Sequence, residues 1–354
     1  MPFRHTARHT AVGALVTGLM LMAAPTAPAA TAAPALPPGC TSSDLPTGGV
    51  HIVCTEGLRS SDGPLNGTDK ADIIEVRGGD DVSGHLSGVV NGLGGNDIII
   101  VDKILAGGSG GDIRGLVDGG DGDDEITVTD KDKWSVQGAI HGGAGNDTIT
   151  TGDVSYRGHI SGGAGADVIT SGAVSGISID GGDGNDTLRL ASFRVTALDK
   201  TSRLDGGPGD DTITVGELGG PLHGGPGDDK ITVERTSRLS SRLPTPVTVD
   251  GDEGNDVIRA GDIGTDSEAR PVHLRGGAGA DLIEAPSIGQ AAYVTVLGDD
   301  DDDVIQGPGG TAVVVGEYGT VDGGRGDNLC RIDQRASGTV ANCRAQAVAR
   351  QVWR

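Results

Sequence analysis

The 354-residue chain contains few aromatic and few basic residues. It has two Phe, two Trp and three Tyr, and 27 Lys plus Arg stand against 50 Asp plus Glu, for a net charge of -23. The acidic balance argues against nucleic acid as a partner, because phosphate binding requires the opposite sign. The scarcity of aromatics weakens the case for a carbohydrate-stacking platform. A cation is the partner that the composition favours, since clustered carboxylates would otherwise repel one another.

The chain also lacks a long apolar run after its N-terminus and several motifs of known enzymes. No His-Glu-x-x-His sequence and no Gly-Lys-Ser/Thr phosphate loop occurs. Gly107-Gly108-Ser109-Gly110-Gly111 spells a hydrolase Gly-x-Ser-x-Gly, which would need a strand before it, a helix after it, and Asp and His partners. The sequence predicts no transmembrane segment and no enzymatic activity.

The N-terminus has the features of a secretion signal. Arg4 and Arg8 precede an apolar stretch over residues 11–24, and small residues such as Ala27-Pro28-Ala29 follow it. We predict a signal peptide over residues 1–32 and a secreted, extracellular protein, with association with the cell surface as an alternative.

Four cysteines flank the central region in two close pairs. Three pairings are possible, and the spacing favours Cys40–Cys54 and Cys330–Cys343, because a stiff repeat array would hold the two ends apart. The sequence predicts an N-terminal cap over residues 33–60 and a C-terminal cap over residues 330–354, each tied by one disulfide.

What the chain has in abundance is glycine, 64 residues, much of it in a nine-residue repeat, Gly-Gly-x-Gly-x-Asp-x-Ile-x. Gly142 to Thr150 is a clear copy. Glycine permits tight turns with positive φ, aspartate offers the hard oxygen that calcium prefers, and the aliphatic residue two places later suits the inward face of a strand. Fourteen copies start at residues 67, 76, 92, 107, 119, 142, 162, 181, 206, 224, 251, 276, 298 and 323.

Position six of the repeat is aspartate in all but the last copy, which has Asn328. The candidate calcium ligands are therefore Asp72, Asp81, Asp97, Asp112, Asp124, Asp147, Asp167, Asp186, Asp211, Asp229, Asp256, Asp281 and Asp303. When the copies at 76 and 107 are set aside, the remaining starts are separated by one solenoid turn each. β-prone segments such as Val247 to Asp250 lead into the glycine pairs, so each turn reads as strand, loop, strand and variable turn.

This pattern resembles the RTX (repeats-in-toxin, haemolysin-type) calcium-binding repeat over residues 61–329. The resemblance implies an all-β, right-handed parallel β-helix or β-roll solenoid, in which Ca²⁺ lies between stacked loops and is held by position-six aspartates and glycine carbonyls. Most turns have a single loop, which predicts one main calcium-binding edge. The copies at 76 and 107 could occupy the opposite edge, and calcium binding is doubtful at the copies at 298 and 323.

The resemblance implies folding driven by calcium, in a structural or adhesive protein without an appended catalytic domain, and we expect a monomer. An extracellular surface or a polysaccharide remains a possible partner. The alternative is a parallel β-helix lyase or epimerase, for which His141 and His223 with Asp180, Asp205 and Asp250 would form a surface column. Two weaker alternatives are integrin recognition by Arg325-Gly326-Asp327 and surface binding by a threonine column at position nine.

Overall fold

The computed structural model describes residues 36–78, 86–104, 115–129, 136–155, 158–196, 201–236, 246–263, 271–333 and 337–345. All of these residues fall within one compact unit, Leu36–Arg354. The predicted signal peptide and two of the candidate ligands, Asp81 and Asp112, lie outside the described residues. No helix among the described residues is long and apolar enough to cross a membrane.

Two long sheets account for most of the strands in the described ranges. One, sheet A, contains β1 (Cys40–Asp44), β2 (Val50–Cys54), β4 (Ile73–Val76), β6 (Ile98–Val101), β8 (Glu125–Val128), β10 (Thr148–Thr150), β11 (Val154–Ser155), β13 (Val168–Ser175), β15 (Thr187–Arg194), β17 (Thr212–Gly219), β19 (Lys230–Thr236), β21 (Val257–Asp262), β23 (Leu282–Glu284), β26 (Val304–Gln306), β29 (Leu329–Cys330) and β31 (Arg344–Ala345).

The other, sheet B, contains β3 (Leu65–Asn66), β5 (Val89–Gly94), β7 (Leu116–Asp121), β9 (Ala139–Ala144), β12 (His159–Ala164), β14 (Ser178–Asp183), β16 (Leu204–Asp205), β18 (Pro221–Pro226), β20 (Val247–Glu253), β22 (Val272–Ala278), β25 (Val294–Asp300), β28 (Gly319–Asp322) and β30 (Thr339–Ala341). β24 (Ser287–Ile288) pairs with β27 (Val314–Val315), and Pro308–Gly310 form a short 3₁₀ turn.

The chain alternates between the two sheets, and each strand pairs in parallel with the strand one turn further along. For example, β9 leads through a glycine loop into β10, and β10 pairs in parallel with both β8 and β13. Among the described strands, only β1 and β2 pair antiparallel. The prediction of an all-β parallel solenoid with one repeat per turn is confirmed.

The core is built from aliphatic residues stacked turn upon turn. The position-eight column in sheet A runs through Ile149, Ile169 and Leu188 in direct register, and a facing column in sheet B runs through Ile140, Ile160 and Ile179. All six side chains are fully buried. Because strand side chains alternate between faces, one residue in two points inward, and each buried aliphatic side chain contributes about 1.5–3 kcal/mol.

A third buried row closes the turns on the side of the variable segments. Isolated parallel bridges link Leu58, Leu86, Ile104, Val136 and Val154 in succession. Val174 then pairs with Phe193, which is fully buried and is the largest side chain of the core. The variable turns therefore still deliver one apolar residue per turn to the interior.

Both predicted disulfides are present. Cys40 is bonded to Cys54 and Cys330 to Cys343. The parallel pairing extends beyond the predicted solenoid limits of 61–329, since β2 already pairs with β4 and β31 pairs with β29. Cys54 and Cys330 are fully buried, so each disulfide is anchored in an end turn of the solenoid itself.

Candidate metal centre

The glycine loop of each repeat lies at the corner where the chain passes from sheet B to sheet A. Gly143 and Gly145 have φ values of 126° and 133°, which L-residues with a Cβ rarely adopt. Space is also restricted, because a Cβ on Gly143 would stand 2.0 Å from the carbonyl oxygen of Gly120 in the preceding turn. The glycines therefore permit both the backbone conformation and the close stacking of successive loops.

The position-six aspartates form a continuous ladder along this corner. The main-chain N–H of Asp147 donates to Oδ1 of Asp167 at 2.7 Å, and the N–H of Asp167 donates to Oδ1 of Asp186 at 2.7 Å. The same bond, at 2.7–3.0 Å, links Asp72, Asp97, Asp124, Asp147, Asp167, Asp186, Asp211, Asp229, Asp256, Asp281, Asp303 and Asn328 in that order. Because Asp72 bonds directly to Asp97, the ladder runs from the copy at 67 to the copy at 92.

The second carboxylate oxygen of most ladder aspartates is buried without a hydrogen-bond partner. This holds for Oδ2 of Asp97, Asp124, Asp147, Asp167, Asp186, Asp211, Asp229, Asp256, Asp281 and Asp303, ten oxygens in all. Each of these residues is 1–2% exposed. A buried, unpaired carboxylate oxygen is strongly unfavourable unless something compensates it, so the repetition marks ten positions at which a cation is expected.

A main-chain carbonyl approaches each unpaired oxygen. The position that a Cβ on Gly142 would occupy lies 2.4 Å from Oδ2 of Asp147 and 2.4 Å from the carbonyl oxygen of Gly162 in the next turn. Oxygen ligands from two stacked loops thus converge on one small volume, which only glycine leaves open. The donor set, carboxylate plus carbonyl, is the one that Ca²⁺ prefers, and the residues present fit a calcium ion between adjacent turns.

The electrostatics of the ladder also favour the binding of a positive charge. Burial raises the pKa of Asp186 and Asp211 to about 7 and of Asp229 to about 8, with neighbouring carboxylates adding to the rise. The donated N–H bonds act in the opposite direction but do not offset burial. A row of carboxylates with such pKa values is poised either to take up protons or to bind cations.

Both ends of the ladder are closed by hydrogen bonds. Oδ2 of Asp72 accepts the main-chain N–H of Thr68 at 2.5 Å, so it is not left unpaired. At the other end, Asn328 presents an amide where the other turns have Oδ2, and Nδ2 donates to the carbonyl oxygens of Arg325 and Asn342 at 3.4 Å each. An N–H donor in that position cannot ligate a cation, in line with the doubt raised by the missing aspartate.

The copy at 298 keeps the loop geometry although it lacks the later glycines. Asp299 and Asp301 adopt φ values of 77° and 76°, and Asp303 occupies its ladder position with an unpaired Oδ2. The geometry therefore places Asp303 with the other aspartates, whereas the sequence had left binding there in doubt. Aspartate tolerates the left-handed region better than most residues do.

A second ladder at position five was not predicted. The main-chain N–H of Asn146 donates to Oδ1 of Asp123 at 2.8 Å, and the N–H of Ala166 donates to Oδ1 of Asn146 at 2.8 Å. Here the donor belongs to the later turn, whereas in the buried ladder it belongs to the earlier one. The signal was visible in the sequence as recurrent Asn or Asp directly before the position-six aspartate, at Asn96, Asp123, Asn146, Asn185, Asp210, Asp228, Asn255 and Asp302.

The predicted surface column of histidines and aspartates lies on sheet B, in the residues just before the glycine pairs. In direct register the column runs through Asp118, His141, Ser161, Asp180, Asp205, His223, Asp250 and Arg275. A ring nitrogen of His223 lies 3.1 Å from Oδ2 of Asp252, and this contact raises the pKa of His223. Burial raises the pKa of Asp180 and of Asp250.

The structure describes only one of the two short motifs that suggested a hydrolase or an integrin ligand. The Gly-x-Ser-x-Gly segment at 107–111 lies outside the described residues. In Arg325-Gly326-Asp327, the arginine forms an ion pair with Asp300 and the aspartate forms one with Arg344. Both charged side chains of the tripeptide are therefore engaged within the solenoid.

Comparisons with known proteins agree with this geometry. A family model for the RTX calcium-binding nonapeptide repeat (4 copies) matches residues 139–153, 159–174, 178–192, 198–217 and 248–262. The chain thus contains RTX calcium-binding repeats, and Ca²⁺ is their ligand. A comparison with curated proteins found no match.

Among solved structures, the chain is similar to a hyperactive, Ca²⁺-dependent, β-helical antifreeze protein from an Antarctic bacterium. The similarity has a TM-score of 0.55 at 22% sequence identity and covers 78% of this chain and 77% of that chain. At this identity, the likeness concerns the β-helical fold.

Proposed function

We propose that the protein is a secreted calcium-binding solenoid whose folding depends on calcium bound by the aspartate ladder. The observation that carries this proposal is the set of ten buried Oδ2 atoms without partners, at Asp97, Asp124, Asp147, Asp167, Asp186, Asp211, Asp229, Asp256, Asp281 and Asp303. At the first aspartate of the ladder, Oδ2 of Asp72 instead accepts the main-chain N–H of Thr68. Asp81 and Asp112 belong to copies outside the described residues and stay sequence predictions as ligands.

The ladder residues have two roles in this proposal. Oδ1 of each aspartate accepts the N–H of the preceding turn, which fixes the stacking distance, while Oδ2 and the glycine carbonyls face the metal position. Bound calcium would supply the positive charge that offsets the buried carboxylates. Since the ligands of one site come from two turns, the site exists only when the turns are stacked, and calcium binding is coupled to folding.

The proposed role is structural or adhesive, and not enzymatic, in an extracellular protein that acts as a monomer. The predicted signal peptide and the two disulfides support the extracellular location, because disulfides form and persist in oxidising compartments. The net charge of -23 supports cation binding. Extracellular calcium is abundant enough to occupy even weak sites of the kind found in extracellular modules.

A calcium titration tests the proposal. Calcium-depleted protein is titrated with Ca²⁺ while circular dichroism records β-structure and calorimetry records stoichiometry. We expect β-structure to appear with calcium and about ten ions to bind, one for each unpaired oxygen. Mg²⁺ serves as the control, because it demands shorter bonds and strict octahedral geometry. Equal β-content in chelator and in calcium would contradict the proposal.

A further inference from the structure

A cleft of about 560 Å³ lies on the outer face of sheet B, beside the glycine loops of successive turns. It is lined by four carboxylates, Asp205, Asp250, Asp252 and Glu253, by two guanidiniums, Arg203 and Arg275, and by His223. With a neutral imidazole the lining carries two net negative charges, which is the charge that one divalent cation neutralises.

Three of these side chains converge. One ligand atom from each of His223, Asp250 and Asp252 lies within 4.8 Å of the other two. His223 and Asp250 are direct neighbours on β18 and β20, and Asp252 follows two residues later on β20. The sheet register therefore brings the three together, without any contribution from the variable turns.

From this juxtaposition we propose that His223, Asp250 and Asp252 form a second metal site, selective for a first-row transition ion of the Zn²⁺ type. Imidazole nitrogen is a good ligand for such ions, whereas calcium favours sites made of oxygen alone. The 3.1 Å between the ring nitrogen of His223 and Oδ2 of Asp252 is close to the roughly 3.3 Å that separates two ligands of a tetrahedral zinc ion. The open cleft leaves the remaining coordination position to water.

Asp252 occupies a position that glycine holds in most other turns. Gly225 and Gly277, its register partners on the neighbouring turns, have φ values of 113° and 117°. Asp252 adopts φ 75°, a left-handed conformation that costs an L-residue free energy. Asp252 thus adds a second carboxylate, besides that of Asp250, next to His223.

The competing explanation is a network of ion pairs without metal. Arg275 lies 3.5 Å from Asp250, but its Nε is bonded to Asp299 of the next turn at 2.9 Å. Arg203 is likewise bonded to Asp205 at 2.8 Å. Both guanidiniums thus have a carboxylate partner besides the three proposed ligands, so a metal could bind Asp250 while Arg275 stays paired with Asp299.

The test is a Zn²⁺ titration of untagged protein by calorimetry in millimolar Ca²⁺, which keeps the calcium ladder filled. Co²⁺ absorption serves as a second readout, because its spectrum reports nitrogen and oxygen ligation directly. We expect one transition-metal site in the wild type. Asp252→Gly should weaken Zn²⁺ binding by at least about 100-fold, since loss of an outer-shell partner alone costs 10–100-fold.

Asp252→Gly separates the metal site from an ion-pair network. Glycine is the residue of the neighbouring turns and relieves the positive φ, so the variant is expected to fold at least as stably as the wild type. His223→Ala should also abolish the site. His273→Ala is the matched control, because His273 lies on the same sheet between Thr248 and Thr295 and should bind Zn²⁺ as the wild type does.

Two outcomes would overturn the proposal. One is a wild type that binds no Zn²⁺ or Co²⁺ in the presence of calcium. The other is Zn²⁺ binding that survives unchanged in Asp252→Gly or in His223→Ala. Neither outcome bears on the calcium ladder, whose residues the variants leave intact.

Discussion

The main-chain N–H of Asp186 donates a hydrogen bond of 2.7 Å to Oδ1 of Asp211, one turn further along the solenoid. Oδ2 of the same Asp211 is buried without a partner. One carboxylate therefore has two separate tasks, since one oxygen joins adjacent turns and the other is left for a cation. The division explains why aspartate, and not a longer or neutral side chain, recurs at this position.

The two tasks can be separated by substitution at Asp186. Asp186→Asn keeps Oδ1 as the acceptor for the N–H of Asp167, as Asn328 does for Asp303, but removes one metal-ligating oxygen. Asp186→Ala removes both, and the unpaired buried N–H of Asp167 then costs about 1–3 kcal/mol more. Calorimetry should show the loss of calcium from the affected sites in both variants, and thermal melts in calcium should rank wild type above Asn above Ala. Identical melting of the two variants would show that the N–H acceptor contributes nothing.

Position one of the repeat should not tolerate even a methyl group. A Cβ on Gly181 would stand 2.4 Å from Oδ2 of Asp186 and 2.3 Å from the carbonyl oxygen of Gly206. Gly181→Ala should therefore expel the ion from that site and lower stability by more than the roughly 1 kcal/mol that an ordinary mutation costs.

Gly94→Ala is the matched control for Gly181→Ala. Gly94 lies in a loop of the same ladder, its φ is not in the left-handed region, and a Cβ there would meet no atom closer than 3.7 Å. We expect wild-type calcium stoichiometry and melting temperature for this variant. If both alanine variants behaved alike, crowding at the metal position would not be the reason for the glycine.

Much of the fold could be predicted from the spacing of one residue type. The sequence spacing from Asp147 to Asp167 and on to Asp186 predicted one solenoid turn per repeat. The hydrogen bonds between these residues in neighbouring turns confirm that prediction. The aliphatic residue at position eight gave the inward face, because alternation in a strand leaves no other choice. The disulfide pairs followed from the rigidity of the array.

Contacts between neighbouring turns were harder to predict from the sequence. That the N–H of one aspartate bonds to the next aspartate depends on the exact offset of neighbouring loops, which residue spacing does not specify. The approach of Asp252 to His223 was missed because it depends on the register between β18 and β20. The copy at 298 looked defective because it lacks the later glycines, although Asp299 and Asp301 adopt positive φ values.

Without calcium, the folded state should become more stable as the pH falls. Burial raises the folded-state pKa to about 6 for Asp124, to about 7 for Asp147 and to about 8 for Asp229, whereas an unfolded aspartate has a pKa of about 3.9. A raised pKa means that the carboxyl contribution is fully present below about pH 4 and is lost as the pH rises through about 6 to 8.

Circular dichroism of calcium-depleted protein between pH 8 and pH 5 checks this expectation. β-structure should increase on acidification, because protons replace the missing cations on the buried oxygens. In saturating calcium the dependence should reverse, since protons then compete with the ion for the same oxygens. A loss of β-structure on acidification in the absence of calcium would contradict the raised pKa values.

The disulfides should stabilise the two ends of the solenoid independently. Cys40–Cys54 and Cys330–Cys343 close loops with sequence separations of 14 and 13 residues, and a loop of about 15 residues corresponds to about 3 kcal/mol in the chain-entropy account. Repeat arrays couple mainly nearest neighbours, so the effect of losing one disulfide should fade within a few turns. In the variant Cys330→Ala/Cys343→Ala, with calcium present, amide hydrogen exchange should accelerate in β28 to β31 and stay unchanged in β9 to β15. The variant Cys40→Ala/Cys54→Ala should show the mirror pattern, with faster exchange in β2 to β4. Uniform acceleration of exchange along the whole chain in either variant would instead show that the solenoid unfolds as a single cooperative unit.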